Sequence, residues 1–229
     1  DLWQRLRWAT AVTVGAALAA GWLAGHVTLG ATLGFAMSFW IVAGIATDLR
    51  ERLRGPGGAW QRLRALPRAT AGMLLAHLGV AVFAFGVCMV STYQLERDVK
   101  LGMGESADLD GHVFTLRGLR EVHGANYRAL QALIDVTRHG QVQAQLTPEK
   151  RAYRAQGLPI TEPAIDRGLA RDLYVSLGEP LDGGTAWIVR LHVKPFVNWI
   201  WAGCVLMALG GALAASDRRY RPRVQEARA

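Results

Sequence analysis

The feature that most limits how this chain can fold is a set of long apolar runs without charge. Residues Ala69 to Ser91 read ATAGMLLAHLGVAVFAFGVCMVS, long enough to cross a bilayer as a helix. Hydrocarbon offers no partner for peptide groups, so such a run must satisfy its own backbone and becomes helical. Three further runs have the same character: Trp8 to Gly25, Leu29 to Thr47 and Phe196 to Ala215. Hydrophobic residues make up 51% of the chain, and they gather in these runs rather than in the spaced pattern of a soluble core. The turn Gly25-His26-Val27-Thr28 is short, so the first two helices form an antiparallel hairpin.

The net charge of +8 is also clustered. Arg5 and Arg7 precede the first run. Arg50, Arg52, Arg54, Arg62, Arg64 and Arg68 fill the loop of residues 48–68, and Arg218, Arg219, Arg221 and Arg223 follow the last run. With four spans, all three segments fall on one face, and the positive-inside rule makes that face cytoplasmic. Both termini are therefore expected inside, and the arginines read as a topology signal rather than a nucleic-acid patch. No initiator Met and no signal peptide are visible, so the chain is read as a fragment or a separate subunit.

The segment from residue 92 to 194 then lies outside. Its charges interleave, and β-forming stretches recur at His112 to Val122, Tyr127 to Thr137, Gln141 to Leu146, Leu173 to Leu177 and Ala186 to Val193. Turn signals separate them at Asp110-Gly111, His139-Gly140 and Asp182-Gly183-Gly184. The segment from Pro159 to Asp166 reads as irregular or briefly helical. The expected architecture is four transmembrane α-helices with an inserted small antiparallel β domain outside the membrane. Residues 1–91 hold three helices, residues 92–194 the β-rich domain, and residues 195–229 the last helix and a basic tail.

One polar residue interrupts the apolar runs. His77 sits inside the third, where an ionisable group costs about 3 kcal/mol even on insertion scales and needs a partner. Its helical face carries Thr70, Met73, Ala81, Ala84, Cys88 and Ser91, which are small, soft or weakly polar. The far side, with Leu75, Leu78, Val82, Phe85 and Met89, suits lipid. A small-residue face admits another helix or a flat cofactor. A neutral imidazole there either hydrogen-bonds to a neighbouring helix or ligates a metal such as haem iron. The other histidines say less. His26 lies in the hairpin turn, His192 at the membrane boundary, and His112, His123 and His139 have no tight metal spacing. Cys88 and Cys204 lie inside spans and form neither CxxC nor CxxCH. Trp199 and Trp201 have the character of interfacial anchors. Gly102-Met103-Gly104 and Gly210-Gly211 are too weak to mark a nucleotide site.

The stretch MLLAHLGVAV around His77 resembles a segment of the CcmF family. So do GANY (Gly124 to Tyr127), LTPEKRAY (Leu146 to Tyr153), RDLYVSLGE (Arg171 to Glu179) and KPFVNWIWAGCVLMALGG (Lys194 to Gly211). The resemblance implies the C-terminal portion of the large membrane subunit of a bacterial cytochrome c haem lyase, in the inner membrane with its β domain periplasmic. Such subunits attach haem covalently to the CxxCH motif of apocytochrome c. They hold a resident b-type haem through two transmembrane histidines, and His77 matches the second of these axial ligands to iron. The implied partners are a haem chaperone, apocytochrome c, sister lyase subunits, the N-terminal portion of the same protein and membrane lipid. The family's tryptophan-rich external segment, its two external histidines and its first transmembrane ligand have no counterpart here, so this segment alone is expected to be inactive as an enzyme. The alternative is a non-enzymatic scaffold or haem-transport subunit that docks assembly partners through its β domain, with His77 structural.

Overall fold

The computed structural model describes residues 7, 10–17, 19, 28–55, 58–154 and 158–217. It has two compact units, one helical and one, Tyr93–Asn198, built of strands.

In the helical unit, α1 (Leu29–Leu53), α2 (Ala59–Arg64), α3 (Arg68–Tyr93) and α4 (Val197–Ala215) follow in chain order. Three of these, α1, α3 and α4, are long and apolar enough to cross a membrane. This supports three spans among the described residues, not the expected four. The first expected span, 8–25, lies partly outside the described residues, with 10–17 helical. Helix α1 opens on Thr28, whose Oγ1 accepts the Ala31 N–H at 3.2 Å, and runs past Thr47 to Leu53. The Arg-rich loop contains the short helix α2, where the Arg64 guanidinium lies over the Trp60 ring at 4.7 Å.

Glycine decides how α3 and α4 meet. Gly72, Gly79 and Gly86 recur every seventh residue and form one stripe on α3, and Gly203 and Gly210 form the matching stripe on α4. All five are buried. A Cβ at Gly79 would stand 2.6 Å from Met207 N and 2.7 Å from Gly203 O, and one at Gly72 would stand 2.4 Å from Ala214 N. Backbone therefore touches backbone, which only residues without a side chain permit. The pairing order, Gly72 with Gly210 and Gly79 with Gly203, makes the helices antiparallel. At their far ends the Asp217 carboxylate accepts the Ala69 N–H at 2.9 Å, which satisfies one of the unpaired donors in the first turn of α3. Helix α1 approaches another side of α3: Phe35 meets Phe85 with ring centroids 5.6 Å apart, and Phe85 meets Trp199 at 5.3 Å. Phe85, expected to face lipid, is thus an aromatic link between three helices.

The other unit is a sandwich of two antiparallel sheets. Its strands are β1 (Leu95–Gly102), β2 (Ser106–Leu109), β3 (His112–His123), β4 (Tyr127–Arg138), β5 (Gln141–Leu146), β6 (Glu149–Tyr153), β7 (Ile160–Glu162), β8 (Ala164–Arg167), β9 (Arg171–Leu181) and β10 (Ala186–Pro195). One sheet has the order β1-β10-β9-β8. The other runs β2-β3-β4-β6-β7, with β5 also paired to β4. Alternate residues of both sheets meet in one core: Phe114, Leu116, Ile134 and Val136 from one, Leu173, Val175, Leu177, Val189 and Leu191 from the other, all fully buried. Burying each such side chain contributes about 1.5–3 kcal/mol. The Asp110-Gly111 and His139-Gly140 turns place both residues at positive φ, the backbone that suits two-residue hairpins. The Pro159–Asp166 segment, expected to be irregular, contributes β7 and β8. Pro163 lies between them and cannot donate to a ladder, and the chain there passes from one sheet to the other.

Candidate functional site

His77 lies on α3, and its ring opens onto a hollow of about 270 Å³ in the helical unit. Trp40, Ile41, Gly44, Ile45 and Asp48 of α1 line it, together with Met73 and Leu74 of α3. At about 100° per residue, the glycine stripe falls on the opposite side of α3 from His77. Helix α4 therefore docks behind the histidine and leaves it exposed. The expected small-residue face is only partly free. Ala81 and Ala84 are buried, and Cys88 packs against Gly34 of α1.

The imidazole is held by its own helix: Nδ1 lies 2.8 Å from Met73 O. A carbonyl only accepts, so Nδ1 carries the proton and donates. With Nδ1 as the donor, Nε2 is the nitrogen through which the ring would ligate a metal. The walls are apolar apart from Asp48, which already accepts from Arg52 Nε at 2.8 Å. Gly44 leaves open space where a Cβ would stand, so α1 offers a flat wall. A ring fixed through Nδ1 and an open apolar slot would suit a haem, with His77 the residue that would hold it. A second ligand on a membrane helix does not appear among the described residues, and His26 lies outside them.

Elsewhere the expected candidates separate. His112 is buried at the start of β3, and neither ring nitrogen reaches hydrogen-bonding geometry. Burial, with Arg138 and Arg171 nearby, pushes its pKa below the ordinary histidine value. His123 and His139 are exposed at strand ends. His192, expected at the membrane boundary, belongs to β10 and is buried on the outer face of the four-stranded sheet, its ring edge-on to Tyr174 at 4.7 Å. Burial and then Lys194 lower its pKa. Among the described residues no three His, Cys, Asp or Glu side chains converge as a metal would require. Cys88 and Cys204 are free thiols. Trp201 is exposed, while Trp199 packs inward on Phe85. Gly102 ends β1, its N–H donating to Glu105 Oε2 at 2.7 Å, and Gly210 belongs to the helix contact. Sequence reasoning missed the α1 wall of the hollow and the glycine stripes. Both carried a signal, in the acidic Asp48 at the edge of a span and the seven-residue glycine period.

The family profile described as the CcmF C-terminal beta-sandwich matches residues 92–195. A cytochrome c-type biogenesis protein CcmF from Pseudomonas aeruginosa is 47% identical over 191 residues, covering 83% of this chain and 29% of the relative. The Escherichia coli CcmF is 46% identical over 193 residues, covering 84% of this chain and 28% of its own length. A solved structure titled Cytochrome c Heme Lyase CcmF superposes with a TM-score of 0.72 at 26% identity, over 93% of this chain and 34% of the solved one. This chain thus spans less than a third of the curated relatives it matches.

Proposed function

The chain belongs to the CcmF family, matching its C-terminal portion, and from that premise we propose that it is the part of a cytochrome c haem lyase that holds a resident b-type haem through His77. The observation behind this reading is the ring of His77, tied through Nδ1 to Met73 O at 2.8 Å and lining an apolar hollow. When bound, a b-type haem supplies one-electron chemistry, and its potential responds to ligand, burial and hydrogen bonding. The residues here act around it. Met73 O fixes the tautomer and orientation of His77, and its hydrogen bond raises the basicity of the donor nitrogen. Trp40, Ile41, Ile45 and Leu74 exclude water. The glycine contact with α4 keeps α3 in place behind the ligand.

The remaining parts of the function follow the family. The complete protein joins haem to the CxxCH thiols of apocytochrome c, with a haem chaperone and sister subunits as partners. The arginine distribution supports a bacterial inner-membrane orientation with both termini cytoplasmic and the sandwich, residues 92–194, in the periplasm. The test is His77→Ala in the complete protein, read as a reduced-minus-oxidised spectrum and as haem content per protein. Loss or marked alteration of the b-type signal is expected. An unchanged spectrum and haem content sinks the assignment and leaves the scaffold reading.

A further inference from the structure

A second hollow, of about 480 Å³, lies in the sandwich on the outer face of its four-stranded sheet. Along β10 the core takes Trp187, Val189, Leu191 and Val193. The alternate residues Ile188, Arg190, His192 and Lys194 line the hollow, joined by Tyr174 and Ser176 of β9. The depression has a structural origin. The β9–β10 register breaks between Trp187 and Val189, and Gly178 has no side chain where a Cβ would meet Ile188 O at 2.9 Å. A bulge of this kind bends a strand and re-aims its side chains.

Asp98 of β1 also lines the hollow, and Arg190 lies between it and Glu96, 3.4 Å from Glu96 Oε1. Arg190 is committed, with Nε and Nη2 donating to Asp98 at 2.8 and 2.9 Å. Lys194 makes no ion pair among the described residues, and its ammonium lies 5.1 Å from the centroid of the Tyr174 ring. Its cross-strand neighbour Asp172 is engaged by Gly168 N at 3.1 Å and Asn198 Nδ2 at 3.4 Å. His192 is 8% exposed. Its Nδ1 is sealed and unpartnered, 3.7 Å from Glu96 Oε2, and the ring forms part of the wall. Lys194, the His192 ring and the Ser176 hydroxyl therefore share a hollow with Ile188, while Asp98 and Arg190 are engaged with each other. Buried polar groups without partners are few in native structures, and each calls for an explanation.

The geometry points to a binding site in this hollow for a carboxylate on an apolar stem, held by Lys194 beside Tyr174 and the His192 ring. The carboxylate pairs with the Lys194 ammonium and accepts from the Ser176 hydroxyl, while Ile188 covers the stem and the His192 ring walls the hollow. The site lies wholly within the sandwich and does not rest on the haem reading of His77.

The test uses the complete protein in detergent and a fluorescein-labelled peptide, Gly-Leu-Leu-Glu, with free carboxylates, followed by anisotropy. The same peptide with both carboxylates amidated is the control. The acid is expected to bind saturably and the amide at least about tenfold more weakly, the loss of one charge-assisted contact. Lys194→Met should weaken the acid about tenfold and leave the amide unchanged, and Lys194→Arg should retain binding. Hexanoate distinguishes sources. Competition as effective as that of unlabelled peptide marks a small carboxylate, and weaker competition marks a peptide. Equal binding of acid and amide, or full binding by a folded Lys194→Met protein, overturns the proposal. If Lys194→Met fails to fold, the acid–amide comparison on the unaltered protein still decides.

Discussion

Replacing Gly79 by Ala tests how the helices are held behind His77. The new Cβ would stand 2.6 Å from Met207 N and 2.7 Å from Gly203 O, against 3.4 to 4 Å for ordinary contact. Both obstacles are backbone, so no rotamer change relieves them, and the α3–α4 contact must open by roughly 0.8 Å. A gap of that size forfeits about a quarter to a half of each dispersion contact along the stripe. Overpacking of this kind costs about 1–3 kcal/mol, offset by about 0.5–1 kcal/mol because Ala suits a helix better than Gly. The expected net loss is therefore on the order of 1 kcal/mol, and at most about 2.5 kcal/mol. Gly203→Ala breaks the same contact from the other side. The double variant should lose less than the sum of the singles, by at least about 0.5 kcal/mol, because the opening is made only once. Gly211→Ala is the control, since nothing lies within 4 Å of its added Cβ. It should be neutral or stabilising. Equilibrium unfolding of the complete protein in mixed micelles measures all four. If Gly79→Ala were as mild as Gly211→Ala, or the two glycine losses simply summed, the close backbone contact would not be holding the pair.

Three other outcomes follow from the sandwich. The pKa of His112 is lowered by burial and nearby arginines, so the folded form binds its proton less readily than the unfolded form. Its contribution to stability is complete above about pH 6.5 and is lost as pH falls toward the folded value. Thermal melts should decline below that pH, His112→Leu should flatten the decline, and an unaltered slope in the variant refutes the assignment. Ile134→Ala, at a fully buried core position, should destabilise the sandwich by about 2–5 kcal/mol in denaturant titrations, and a loss under 1 kcal/mol would contradict the core described. Asp98→Asn removes the bidentate partner of Arg190, but the pair is about half exposed and screened by solvent, so the melting temperature should barely change. A larger drop in melting temperature would show that the pair is structural.

What the sequence revealed, and what it hid, depended on how local the signal was. Apolar length exposed α1, α3 and α4, and positive-φ turn pairs such as Asp110-Gly111 marked the hairpins. Strand β1, LERDVKLG, was overlooked because charge falls on both its faces, as suits a sheet edge that must not pair further; only Leu101 is buried in it. Strands β7 and β8 were hidden by Pro159 and Pro163, which usually break structure but here mark a passage between sheets. At the candidate site, His77 could be singled out as an anomaly on one helix. Of its hollow only Asp48, acidic at the edge of a span, gave a hint, because Trp40, Gly44 and Asp48 come from another helix and only packing brings them near. The hydrogen bond to Met73 O, by contrast, joins residues four apart on one helix and was accessible to helical geometry. For His192 the sequence offered only its place just before a span; strand alternation shows it on the sheet's outer face beside Tyr174.

The register of β1 against β10 has one more consequence. Leu95 pairs with Val193, so the first and last strands of the sandwich begin and end side by side. About a hundred residues of sequence separate α3 from α4, yet once the sandwich has formed the polypeptide path between the helices shrinks to a few residues at either end. Loop-closure entropy grows with the logarithm of length, and this shortening is worth on the order of 3 kcal/mol toward pairing the two helices. The inserted domain, once folded, acts as a staple for the helix pair. The same adjacency makes it separable: a tight turn in its place should still let Gly79 find Gly203.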